Sequence, residues 1–189
     1  MKTATNTIPR LGLLLLLANC LSAFDARAQE PEFMHAVGGS YIMGVSESTI
    51  IGSGAITYFP RMNIFRFGDA TVSLSATPSL AATLFSGFDG TSSIIYELPF
   101  SADFNFGAGS SMDYKASAGF SVGAGWAFNS MSVSDFVIVS ANTKSQGLFG
   151  HLDYNFEAGF GVWKVSAYTI VGDNDVNVYG LRAGCYFGI

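Results

Sequence analysis

Apolar and polar residues alternate one by one along most of this chain, and the alternation is sharpest over 94–107. Ile94, Tyr96, Leu98, Phe100, Ala102, Phe104 and Phe106 share one parity, while Glu97, Pro99, Ser101, Asp103 and Asn105 share the other. A period of two sends successive side chains to opposite sides of the backbone, so this stretch is predicted as a β-strand with one aromatic and one polar face. It outruns the five or six residues usual in soluble strands and suits a tilted strand of roughly ten residues crossing a bilayer.

The same pattern predicts strands over 33–45, 49–65, 70–85, 114–128, 147–158, 163–171 and 176–189. In the second, Ile56, Tyr58, Met62 and Ile64 oppose Thr57, Arg61 and Asn63, and Pro60 predicts a bend or bulge because it cannot donate to the ladder. In the third, Val72, Leu74, Ala76 and Leu80 oppose a row of small hydroxyls. The fifth sets Phe120, Trp126 and Phe128 against Gly119, Ser121, Gly123 and Gly125, a column without bulk that predicts crowding from neighbouring strands. Residues 129–146 read as the longest connection, although 136–139 is apolar enough for an additional strand. The fold class expected is therefore all-β: an eight-stranded antiparallel up-and-down transmembrane barrel, with the even strand number typical of single-chain bacterial barrels. With the N-terminus on the inner side, the outward loops fall at 46–48, 86–93, 129–146 and 172–175.

Composition decides between a soluble and a membrane barrel. Hydrophobic residues make up 49% of the chain and charged residues only 12%, yet after residue 28 no apolar run is long enough for a transmembrane helix. A closed barrel is the other structure able to satisfy every backbone group inside lipid. The polar faces hold mostly Gly, Ser, Thr and Asn, which suits a tight interior better than a hydrated exterior. Tyr96, Leu98, Phe100, Phe104, Phe106, Phe120, Trp126 and Phe128 are accordingly expected to face lipid. Arg61, Glu97, Asp103, Lys115, His151, Asp153, Glu157, Lys164 and Arg182 are expected to point inward. Buried charges are costly unless paired, so they predict salt-bridged layers across a filled polar lumen. The partners of Glu97 and Asp103 should be found among Arg61, Lys115, Lys164 and Arg182.

The start of the chain reads as a secretory signal peptide over 1–28, followed by one barrel domain over 29–189. Lys2 and Arg10 precede a short apolar run, and Ala26-Arg27-Ala28 forms the cleavage site. Leu17-Ala18-Asn19-Cys20 is like a lipoprotein box, but Asn19 is an unusual neighbour for its cysteine. Cleavage removes three of nine basic and one of fourteen acidic residues, leaving a net charge of about −7. That argues against nucleic acid or anionic lipid as an electrostatic partner. Cys185 alone survives cleavage, which excludes an intrachain disulfide and cysteine-type structural zinc.

No motif specifies chemistry. His151 and Asp153 share a strand face as a base and an orienting acid do, but nothing selects a serine nucleophile among so many. Asp173-Asn174-Asp175 offers oxygen ligands to calcium, in a run too short to distinguish it from a solvated turn. Gly107-Ala108-Gly109 lacks the strand and helix of a nucleotide loop. Cys185 falls on the apolar face and reads as an inert lipid-facing thiol, and no catalytic, cofactor or metal residue is assigned.

The end of the chain, Arg182-x-Gly184-x-x-Phe187-x-Ile189, resembles the assembly signal in the last strand of Gram-negative outer-membrane barrels, with Ile189 where an aromatic is usual. Ile56-Thr57-Tyr58-Phe59-Pro60, Glu97-Leu98-Pro99-Phe100, Asp103-Phe104-Asn105-Phe106-Gly107 and the run 119–126 resemble the small outer-membrane β-barrel proteins of Bacteroidetes, of OmpA/OmpX-like architecture. The resemblance implies the outer membrane, lipid as partner and the barrel assembly machinery during insertion; the family's function is largely unassigned, and no surface partner follows from it. The expected role is non-enzymatic, structural or in surface interaction. A narrow channel for small solutes and a lipid-modifying enzyme are the alternatives.

Overall fold

The computed structural model describes residues 31–46, 49–86, 91–113, 115–134, 140–159, 161–173 and 177–187. The predicted signal peptide, Cys20 and Ile189 lie outside them. Ten β-strands follow one another: β1 (Glu32–Ser46), β2 (Thr49–Tyr58), β3 (Arg61–Phe67), β4 (Ala70–Ala76), β5 (Ser79–Ser86), β6 (Thr91–Gly107), β7 (Ala118–Ser134), β8 (Ser140–Ala158), β9 (Gly161–Gly172) and β10 (Asn177–Phe187). They form eight staves, because β2 with β3 and β4 with β5 are each one stave interrupted at a proline.

All pairings are antiparallel, and β10 returns to β1 from His35↔Phe187 to Val45↔Asn177, closing the ring. The break at Pro60 agrees with the sequence expectation. A second one at Thr77-Pro78 was not foreseen. The two face each other across neighbouring staves, and backbone bonds carry the ladder past them: Tyr58 N–H donates to Pro78 O, Ala76 N–H to Pro60 O and Thr77 N–H to Pro99 O. The ladder also shifts between Asn63 and Phe65 opposite β4. Ile64 is the extra residue of this bulge, so Phe65, not Ile64, continues the outward row opposite Val72.

The largest correction concerns 129–146. Strand β7 continues to Ser134 and β8 begins at Ser140, paired without interruption from Ala118↔Phe156 to Ser134↔Ser140. The expected loop is mostly a long hairpin. Polar residues in both of its arms blur the alternation, but the backbone ladder needs no apolar face once the strands leave the membrane. Residues 136–139 lie outside the described residues. At the other rim, the strand expected from 114 starts only at Ala118, because the segment after Gly107 turns into the barrel end. Ala108, Ser110 and Ser111 are buried there.

The outward parity carries exposed large apolar side chains all around the ring, among them Val37, Tyr41, Ile56, Leu74, Phe100, Trp126, Leu148, Leu152, Val165 and Leu181. Such a continuous belt far exceeds what a water-soluble surface leaves uncovered. Along β6, the aromatic residues Tyr96 and Phe106 of this belt lie ten residues apart, about 33 Å of strand, or about 25 Å of membrane thickness at a tilt near 40°, with Ile94 exposed beyond Tyr96.

Candidate functional site: the charged lumen

The inward parity packs into stacked layers. At the rim where β1 begins and β10 ends, Met34, Ala36, Phe59 and Tyr186 form an apolar cluster, joined by the partly buried Met112 and Val162. Arg61 crosses above it. Its guanidinium donates to Asn105 Oδ1 at 3.0 Å and to the carbonyls of Gly109 and Ser110, and it lies 5.1 Å from the Tyr186 ring centre. Ser110 O also accepts from Asn63 at 2.9 Å and from Thr71 at 2.8 Å, while Glu32 accepts from Asn63 and from the Met112 N–H. The inward turn after β6 is thus anchored by side chains of β1, β3 and β4.

The next layer is built on His151. Its Nε2 lies 2.9 Å from Asp103 Oδ1 and its Nδ1 lies 2.9 Å from Asp153 Oδ1. Lys164 Nζ reaches Asp153 Oδ2 at 2.5 Å, and Ser75 donates to Asp103 Oδ2 at 2.5 Å. Gly123 sits between Asp103 and His151 in the ladder, and a Cβ there would strike both side chains. Here the bulk-free column has its reason. Gly123→Ala is expected to destabilise the barrel by about 1–3 kcal/mol through overpacking. Gly54→Ala, where a Cβ meets nothing within 4 Å, should shift stability by less than about 0.5 kcal/mol. Heat-modifiability midpoints on detergent gels measure both, and equal midpoints would show that the layer yields without cost.

The third layer joins Glu97 to Arg182. Glu97 Oε2 accepts from Arg182 Nη2 at 3.2 Å and from the Tyr168 hydroxyl at 2.9 Å, and Arg182 Nη1 donates to Thr77 Oγ1 at 2.9 Å. The guanidinium stacks on the Tyr168 ring at 3.5 Å. A side chain at residue 180 would occupy the place of that ring, which Gly180 leaves free. Ser40, Thr57 and Ser79 continue the network as a chain of hydroxyls.

The final layer departs from the expected polar filling. Ile42, Ala81, Ile95, Ala127, Phe149, Ile170 and Val178 close over Tyr168 as an apolar cluster toward the loop rim. These residues have inward parity but not inward polarity, and burying them against one another removes their surface from water as any core does.

Seven of the nine charged residues expected in the lumen, Arg61, Glu97, Asp103, His151, Asp153, Lys164 and Arg182, are no more than 9% exposed. Lys115 and Glu157 are corrections: both are exposed. Lys115 precedes β7 in the connection at the terminal rim, and Glu157 lies at the end of β8, where strand parity no longer leads into the lumen. Sequence reasoning missed the supporting groups Ser75, Thr77, Tyr168 and the 108–112 turn, although the first three share the inward parity of their strands. Cys185 is buried rather than lipid-facing. Of the possible calcium turn, Asp173 accepts the Gln146 N–H through Oδ1 at 2.9 Å; Asn174 and Asp175 lie outside the described residues. Among the described residues no group of three or more His, Cys, Asp or Glu could hold a metal ion. Within the carboxy-terminal signal, Arg182 and Gly184 face inward, and Phe187 is paired with His35.

Known structures share this architecture. Ail, the attachment invasion locus protein of Yersinia pestis, superposes with a TM-score of 0.59 at 15% identity, over 84% of this chain and 100% of Ail. Ail in complex with the heparin analogue sucrose octasulfate gives 0.58 at the same identity and coverage. Neisserial surface protein A, NspA, gives 0.58 at 14% identity, over 85% of this chain and 100% of its own. The fold is that of the small outer-membrane β-barrels. No sequence-family profile matches the chain, and no curated protein matches it in sequence. At these identities the likeness establishes fold and no activity. The apolar belt adds the physical requirement for lipid around the barrel, so the chain is an integral membrane protein of outer-membrane type, associated with membrane lipid.

Proposed function

We propose that this protein is a non-enzymatic outer-membrane barrel with a closed lumen, serving envelope structure or surface interaction, exported by the signal peptide over 1–28 and inserted by the barrel assembly machinery through its carboxy-terminal strand. The observation that carries the reading is the stack of buried layers across the lumen, from the anchored turn at Arg61 through the His151 and Glu97 layers to the apolar cap. An eight-stranded barrel is just wide enough for side chains to fill it, and here charged groups lock against one another instead of lining a water path.

The Ser101–His151–Asp153 arrangement supports the non-enzymatic reading. Ser101 Oγ is 3.4 Å from His151 Nε2, but the same nitrogen lies 2.9 Å from Asp103 and the other is held by Asp153. Both ring nitrogens are taken by carboxylates, and neither is free to accept a proton from a serine. Purified barrel in planar bilayers should show no stepwise conductance, and its overexpression should leave lipid A unmodified. Regular unitary steps would establish a channel instead; altered lipid A that disappears with His151→Ala would establish an enzyme.

A further inference from the structure

Strand β8 runs past the end of β9. The β8–β9 ladder stops at Gly147↔Gly172, while β8 stays paired with β7 up to Ser140. The step between the long strand and the short one makes a shelf on the outer wall at the loop-side edge of the apolar belt. Register fixes what lies on it. Tyr96, Ser130 and Lys144 form one outward row across β6, β7 and β8, and Leu98, Phe128 and Gln146 form the row beneath. Asp173 extends the lower row, its N–H donating to Gln146 O at 2.8 Å and its Oδ1 accepting from Gln146 N–H.

Tyr96, Phe128, Ser130, Lys144, Gln146 and Asp173 line a single groove. Its floor is aromatic and continuous with the belt. Its rim carries one cation and one anion, both exposed and not ion-paired to each other. Rung spacing puts their backbones about 8 Å apart diagonally. An amphiphile held here would lay its acyl chains along the belt and its head on the shelf. A purely anionic head gains from Lys144 but is repelled by Asp173. A head with a phosphate and a primary ammonium meets both charges with the right sign, and an ammonium that keeps its hydrogens can also donate to the Asp173 oxygen not used by Gln146.

We propose that this groove is a binding site for a zwitterionic lipid head group bearing a phosphate and a primary ammonium, with Lys144 holding the phosphate and Asp173 the ammonium. It deepens the surface-interaction reading but does not depend on whether the lumen conducts, so conductance could disprove the closed lumen and leave this site standing.

The test is lipid retention by the full barrel in detergent, measured by native mass spectrometry with phosphatidylethanolamine, phosphatidylglycerol and phosphatidylcholine in separate titrations. The ethanolamine lipid should be retained roughly fivefold better than phosphatidylglycerol, the gain of one interfacial ion pair, and also better than phosphatidylcholine, whose quaternary ammonium has no hydrogen to donate to Asp173. Lys144→Gln should remove that retention. Asp173→Asn keeps the bond to Gln146 and should lower the ethanolamine lipid to the level of phosphatidylglycerol without weakening the latter. Equal retention of all three lipids, preference for phosphatidylglycerol, or variants that behave as the unaltered protein would each overturn the proposal. Both side chains are exposed, and the gel-mobility change on boiling verifies that each variant is folded.

Discussion

Arg182→Ala should cost the barrel about 3–5 kcal/mol, the usual penalty for stripping one partner from a buried ion pair. Arg182 is the ion-pair partner of the fully buried Glu97, and it also donates to Thr77 and covers the Tyr168 ring. Removing it leaves a carboxylate with the Tyr168 hydroxyl as its remaining partner and opens a hole beneath Phe149 and Tyr168. The loss is to be read from urea unfolding in detergent micelles. The paired variant Glu97→Gln with Arg182→Met separates charge from shape. It removes both charges and keeps much of the volume, so most of the lost stability should return. Equal losses in the single and paired variants would show that packing, not the uncompensated carboxylate, dominates this layer.

Phe100→Arg tests the other face of the same strand. Phe100 is exposed, sits near the middle of the span from Tyr96 to Phe106, and is paired with Trp126. A cation at the bilayer midplane on a barrel's lipid face costs about 2–4 kcal/mol, falling to about 0–1 near the interfaces. Phe106→Arg, at the terminal edge of the belt, should therefore be tolerated, and Leu98→Arg should fall between the two. Folding into vesicles of increasing urea content gives the three free energies. A flat profile along 98, 100 and 106 would mean that this face does not meet hydrocarbon.

The two experiments probe opposite faces of one stave, and those faces differed greatly in how legible they were. Outward residues such as Tyr96, Phe100 and Trp126 could be read directly, because lipid asks only for apolarity and the two-residue period does the rest. Inward residues could be assigned to the lumen but not to one another. Asp103 was expected to find its partner among four cations; its nearest is His151, two staves further along the chain. Which charges meet depends on the stagger of the strands around the ring, and the bulge at Ile64 and the breaks at Pro60 and Pro78 alter that stagger locally. Lys115 and Glu157 misled for a related reason: parity predicts an interior position only within the span of the ladder, and both lie at its end.

The alternation, the scarcity of charge and the Gly, Ser and Thr of the polar parity were sufficient for the sequence alone to determine an eight-stave barrel with its greasy face outward. These are local properties, set by the pleat and by the solvent each face requires. The tertiary structure decided how far the β7–β8 hairpin rises, how the turn after β6 folds into the terminal rim, which buried charges pair and where the lumen turns apolar. Each of those depends on register and contacts between strands, which the local alternation does not record.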